Sequence, residues 1–162
     1  MREKRRTSFN WTAWVYWILV TTFGWLVGWV FLGELWIGLT LGIGQWILIR
    51  SRVKDSYWWV IASMLGWAAG HLLVISWLPV GLREWAGLPI GLTLGAAQWL
   101  VVRRDMPRSG WWIVINALGW LLAMTGVLGG SLVGAVAGAV TGVAVALFLE
   151  MRMENTPEVE RD

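Results

Sequence analysis

The chain has 162 residues, of which 57% are hydrophobic and only 14% charged, with 16 tryptophans, 20 glycines, no cysteine and a net charge of +3. A soluble domain carries about a quarter charged residues. Disorder, a disulfide scaffold, a thiol catalyst and a Cys-ligated metal site are therefore excluded, and an all-α integral membrane protein is indicated.

Residues 1–10 form a basic N-terminus containing Arg2, Lys4, Arg5 and Arg6. The uncharged run 11–33 follows, long enough for a helix crossing a hydrocarbon core about 30 Å thick. No small-x-small cleavage site follows it, so it reads as a retained first span rather than a signal peptide. Glu34 precedes a second span near 35–50, about 24 Å long if helical. Arg50, Arg52 and Lys54 occupy the next loop, and a third span is predicted near 57–79. Arg83 and Glu84 then lead into a fourth span near 86–103, with Pro89 suited to its first turn. Spans two and four are short, and fit either a thinned bilayer or re-entrant segments.

Arg103, Arg104 and Arg108 precede an uncharged run over 109–149, too long for one span. Leu128-Gly129-Gly130-Ser131 has the chemistry of a turn and divides it into spans near 109–128 and 131–150. A polar, acidic tail, 151–162, is expected to be solvated. Twelve of the 13 basic residues fall on one side of these six spans, Arg83 being the exception. The bias predicts an N-in/C-in protein of the bacterial cytoplasmic (inner) membrane. It also accounts for the net positive charge without a nucleic-acid surface. Membrane lipids are the expected partners of the basic fringe.

An internal repeat is the strongest signal. Residues 38–50, GLTLGIGQWILIR, and 91–103, GLTLGAAQWLVVR, are nearly identical; 138–150, GAVTGVAVALFLE, keeps Gly138 and Gly142 but lacks the Gln, Trp and Arg. Trp17, Trp59 and Trp112 each stand seven residues before a Gly-Trp pair (Gly24-Trp25, Gly66-Trp67, Gly119-Trp120), and Gly28, Gly70 and Ala123 follow four residues after each glycine. The chain thus reads as three tandem helical hairpins, about 11–50, 57–103 and 109–150. All three point the same way and suit either a pseudo-threefold ring or a row.

Small residues at four-residue spacing let helix backbones approach closely in lipid. Gly24, Gly28, Gly38, Gly42, Gly66, Gly70, Gly91, Gly95, Gly119, Gly134, Gly138 and Gly142 are the predicted packing positions. A seam between copies of the chain is the other reading of the stripe on the last helix.

His71 is the one ionisable residue inside a span. Without a carboxylate at its depth it cannot build a metal site or proton relay alone. It fits a histidine bonded to a carbonyl or hydroxyl, or an axial tetrapyrrole ligand. Gln45 and Gln98, with Thr21, Ser63 and Asn116, fall at one depth, about 6–8 Å below the cytoplasmic edge. They form either a register-fixing layer or the floor of a pocket, and Val145 replaces the third glutamine.

Trp11, Trp14, Trp46, Trp58, Trp59, Trp99, Trp111 and Trp112 read as a cytoplasmic interfacial belt, and Trp36, Trp77 and Trp85 as an external one. Trp25, Trp67 and Trp120, about 12 Å deep, must face protein, lipid tails or a bound ring. The ligand-binding candidates are therefore Trp25, Trp67, Trp120, His71, Gln45, Gln98 and Asn116.

Two functions fit. One is a non-catalytic bundle, a scaffold or accessory subunit, packing against lipid, a membrane protein partner or further copies. The alternative binds or transports a small apolar ligand or pigment, as a transporter's substrate-binding component does. No cofactor is implied beyond a bound lipid or pigment. No nucleophile with a base, and no metal set, is available for an enzyme. The Trp-Ser motif of tryptophan-rich sensory proteins and the charged proline motifs of mitochondrial carriers are absent. The likeness to substrate-binding components of energy-coupling-factor transporters is one of size alone.

Overall fold

The computed structural model describes residues 9–105, 109–125 and 130–154, the last seven by backbone alone. Arg2, Lys4, Arg5, Arg6, Arg108, Leu128, Gly129 and the tail beyond residue 154 lie outside the described residues. Those described form six α-helices and no strand: α1 (Trp11–Val27), α2 (Ile37–Ile49), α3 (Trp58–Trp77), α4 (Gly87–Val102), α5 (Trp111–Met124) and α6 (Val133–Glu154). Three helical stretches are long and apolar enough to cross a membrane, namely Trp11–Leu32, Trp58–Trp77 and Gly130–Leu147. Three shorter apolar stretches accompany them: Glu34–Ile49, Gly87–Val102 and Trp111–Met124. These lengths and compositions are those of a membrane protein.

Local chemistry sets the boundaries. Asn10 Oδ1 accepts the Ala13 N–H at 2.9 Å, capping α1. The helix widens to π pitch over Gly28–Leu32 and stops at Gly33, whose φ of +92° lies in the left-handed region open to glycine. A single 3-10 turn, Glu34–Trp36, then leads into α2. Leu78 turns extended ahead of Pro79 and ends α3, as the residue before proline is pushed out of the helical region. Asp55 takes φ +53° in the α2–α3 loop, a conformation that Asp and Asn tolerate better than other side chains.

Each helix packs against its neighbours in sequence and α6 packs against α1, so the six close a ring in chain order. Two kinds of glycine seam alternate around it. At α1–α2, a Cβ on Gly24 would lie 2.9 Å from Leu41 Cα; at α3–α4, one on Gly66 would lie 2.8 Å from Leu94 Cα. At α2–α3, Gly38 faces Trp67 and Ser63, and Gly42 faces Ser63 and Val60. At α4–α5, Gly91 faces Asn116 and Ala117, while Gly95 faces Asn116 and Ile113. At α6–α1, Gly134 faces Trp25 and Thr22, Gly138 faces Ile18 and Thr21, and Gly142 faces Trp14 and Trp17. The stripe on the last helix is thus used within the chain, against its first helix. At the α5–α6 seam a Cβ on Gly119 would have its nearest neighbours in the Thr141 and Val140 side chains, at 3.3 and 3.4 Å. Gly28 and Gly70 lie against Ile37 and Ile90 in the α1–α2 and α3–α4 seams.

The outward faces carry Leu19, Phe23, Phe31, Leu65, Leu72, Ile75, Leu118 and Leu122, all exposed. So much apolar surface around the whole ring suits a hydrocarbon solvent and not water.

Candidate functional site

The ring's interior is organised in two levels. Nearer the end that carries Arg50, Arg52, Lys54, Arg103 and Arg104, the indoles of Trp17 (α1), Trp59 (α3) and Trp112 (α5) meet edge to face or tilted. Their centroids are 6.2, 6.1 and 5.7 Å apart. Two turns along the same helices, Trp25, Trp67 and Trp120 form a second triad, with centroids 5.9, 5.9 and 5.1 Å apart. Seven-residue spacing from Trp to the Gly-Trp pair places both indoles of each helix on its inward face.

At the basic level each indole N–H finds an acceptor on the helix that precedes it around the ring. Trp59 Nε1 donates to Gln45 Oε1 and Trp112 Nε1 to Gln98 Oε1, both at 3.1 Å. Trp17 has no glutamine as its acceptor: its Nε1 donates to Thr141 Oγ1 on α6 at 3.0 Å, one turn before Val145. The glutamine amides carry the network further. Gln45 Nε2 donates to Thr21 Oγ1 at 3.3 Å, while Gln98 Nε2 donates to Ser63 Oγ at 2.9 Å and to Gln45 Oε1 at 3.2 Å. Asn116 Nδ2 on α5 donates back to the Trp112 carbonyl at 3.1 Å. Thr21, Ser63, Gln45, Gln98, Asn116 and Thr141 are all buried. Such bonds are the means by which buried polar groups are held in place in an apolar interior.

At the other level two indole N–H groups reach the connections at the opposite end. Trp25 Nε1 donates to the Gly130 carbonyl at 2.9 Å and Trp67 Nε1 to the Glu34 carbonyl at 2.7 Å. Trp25, Trp67 and Trp120 face protein, chiefly one another. Their exposures of 6%, 1% and 1% leave little indole surface for any other ring.

Two sequence expectations are corrected. Trp59 and Trp112 are not interfacial: they are buried, at 3% and 4% exposure, and belong with Trp17 to the interior. Their position beside the loop charges concealed this, because an inward and an outward indole at a helix end look alike in sequence. The signal that separates them is the glutamine 14 residues earlier, present for both. Trp11, Trp36, Trp58, Trp77 and Trp85 are exposed, as a belt requires. Second, His71 does have a carboxylate at its depth. The Glu34–Trp36 turn folds back so that Glu34 Oε2 stands 3.5 Å from His71 Nε2.

At the basic end, Arg50 lies over the Trp46 ring and Arg103 over the Trp99 ring, at 5.7 and 5.5 Å. Trp46 Nε1 donates to Ser56 Oγ at 3.2 Å. Ser109, 53 residues further on, is buried with no hydrogen-bond partner for its hydroxyl among the described residues. Lys54 N–H donates to Asp105 Oδ2 at 2.9 Å, linking the two basic loops. A groove of about 730 Å³ opens outward between α3 and α4 beside this link, and one of about 520 Å³ opens between α1 and α2.

Among the described residues, no three His, Cys, Asp or Glu side chains gather as a metal-binding group. The buried amides and hydroxyls of the interior are bonded to one another, to indole N–H groups or to backbone carbonyls. No protein-family model, curated protein or solved structure matches the chain.

Proposed function

We propose that the chain is a non-catalytic, polytopic protein of the bacterial cytoplasmic membrane that acts by packing against lipid or a membrane protein partner, as a scaffold or accessory subunit. In this reading it crosses the bilayer six times as three tandem hairpins about a pseudo-threefold axis, with both termini cytoplasmic. The observation that carries the reading is the mutual engagement of the interior: two indole triads and the glutamine-centred layer contact each other. Side chains already bonded to one another hold the ring together and offer few groups to a ligand.

Several features support the architecture. The alternating glycine seams recur at matching positions in the first two hairpins, and α6 meets α1 as α2 meets α3. Trp59–Gln45 and Trp112–Gln98 are the same bond 53 residues apart. Arg50, Arg52, Lys54, Arg103 and Arg104 gather at one end, the pattern of a cytoplasmic face. The shorter helices pair with longer neighbours and are accommodated by local thinning of the bilayer.

Extraction in mild detergent, followed by visible absorption and mass analysis, tests the functional reading. A protein-only spectrum with a stoichiometric partner chain is the expected result. A stoichiometric pigment or vitamin would overturn it in favour of a binding component built on Trp25, Trp67, Trp120 and His71. A reporter fused after Asp162 that behaves as external would overturn the topology.

A further inference from the structure

The groove between α3 and α4 joins an apolar slot to a charged rim. Its walls are the stripe Trp58, Ile61, Ala62 and Leu65 on α3, facing Ala97, Leu100 and Val101 on α4. Spacings of three and four residues set each stripe on one helix face. The two alanines recess the floor where flanking positions carry larger apolar chains. The groove then rises to a rim that holds two cations, Lys54 and Arg104, and two carboxylates, Asp55 and Asp105.

The rim is therefore neutral in sum but divided in sign. An apolar slot about two helical turns long, ending in separated positive and negative groups, complements an acyl chain attached to a zwitterionic head. Trp58 stands between slot and rim, where indole sits in bilayers. The neighbouring groove between α1 and α2 makes the contrast. Among the described residues of its lining, Arg52 is the charged side chain, without a described carboxylate beside it. The link from Lys54 N–H to Asp105 Oδ2 fixes the α3–α4 rim by tying its two loops together.

We propose that the α3–α4 groove is a binding site for a membrane phospholipid whose head pairs a phosphate with an ammonium group. Lys54 and Arg104 take the phosphate, Asp55 takes the ammonium, and the acyl chain lies between Leu65 and Leu100 over Ala62 and Ala97. This inference rests on the membrane reading above.

The test uses the full chain in nonionic detergent, mixed with phosphatidylethanolamine or phosphatidylglycerol of the same acyl chains, and counts retained lipid by native mass spectrometry. Phosphatidylethanolamine should be retained about fivefold more strongly, the effect of roughly one charge near a membrane surface. Asp55→Asn keeps a side chain that tolerates φ +53° while removing one carboxylate, and should shift the ratio about fivefold toward phosphatidylglycerol. Ala62→Leu fills the slot and should lower retention of both lipids at unchanged melting temperature. Equal or stronger retention of phosphatidylglycerol by the wild type, or an unchanged ratio in Asp55→Asn, would overturn the site. A chain found in the soluble fraction without detergent would instead overturn the membrane reading.

Discussion

Trp17 and Thr141 are joined by a hydrogen bond of 3.0 Å across 124 residues of sequence, and this bond ties the first helix to the last. It does for Trp17 what Gln45 and Gln98 do for Trp59 and Trp112. Thr141→Val keeps the shape and leaves the buried indole N–H without its acceptor. The variant should lose about 0.6 to 1.7 kcal/mol, the range for interhelical bonds in membranes, and Thr141→Ser should recover most of it. Thermal melts in detergent, followed by near-ultraviolet circular dichroism, will measure both.

Gln45 and Gln98 share one network, so their losses should not add. Gln98 Nε2 donates to Gln45 Oε1, and each glutamine accepts from its own tryptophan. Gln98→Leu alone frees an indole N–H and a serine hydroxyl and leaves Gln45 short of a donor. The double variant with Gln45→Leu should therefore cost less than the two single losses summed, by at least about 0.5 kcal/mol. Strict additivity in a double-mutant cycle would show that the layer is not a unit.

The glycine seams give a graded series. A Cβ at Gly91 would fall 2.5 Å from the Asn116 carbonyl oxygen, against rigid backbone. Gly91→Ala should cost about 1–3 kcal/mol by overpacking, as should the bulkier Gly42→Leu and Gly95→Leu. At Gly119 the nearest atoms are side-chain carbons at 3.3 and 3.4 Å, and Gly119→Ala should cost distinctly less. Gly81 has nothing within 4 Å, so Gly81→Ala should change stability by less than about 0.5 kcal/mol. Melting temperatures that fail to follow the order Gly91, Gly119, Gly81 would count against close backbone packing at these seams.

Much of this was legible from spacing alone. Glycine and tryptophan recur at intervals that fix helix faces, and charge clusters mark the loops, so helix number and the polar layer could be read in advance. Closure of α6 on α1 was one of two arrangements open to a tandem repeat, since no local signal says where the last helix returns. Burial of Trp59 and Trp112 was concealed because indole beside a charged loop is ordinarily interfacial. The approach of Glu34 to His71 depends on the path of a single 3-10 turn, which hydropathy does not record. Nor could the substitution of Thr141 for a missing glutamine be seen, because it does not occupy the equivalent position.

Ser56 and Ser109 make a matched pair with opposite expectations. Ser56 Oγ accepts the Trp46 indole N–H, so Ser56→Ala should destabilise by about 1 kcal/mol. Ser109 Oγ is buried and unpartnered among the described residues, so Ser109→Ala should be neutral or raise the melting temperature. A loss at Ser109 equal to that at Ser56 would mean that its hydroxyl is engaged in solution.

The helical stretch Trp111–Met124 spans only about 21 Å, less than the hydrocarbon core of an average bilayer. Reconstituted protein should accordingly be more stable in dimyristoyl than in dioleoyl phosphatidylcholine. Denaturation in the two bilayers, monitored by tryptophan emission, checks the order.

The seam between α1 and α6 also carries a consequence for biosynthesis. Translation makes α1 first and α6 last, so Trp14, Trp17 and Trp25 enter the bilayer long before Gly142, Gly138 and Gly134 exist to cover them. Until α6 is made, the flank of α1 that it covers lacks that cover, and closing it is the contact of longest sequence separation in the ring. During that interval the bare flank of α1 is the place where an insertion factor or a second nascent chain would compete.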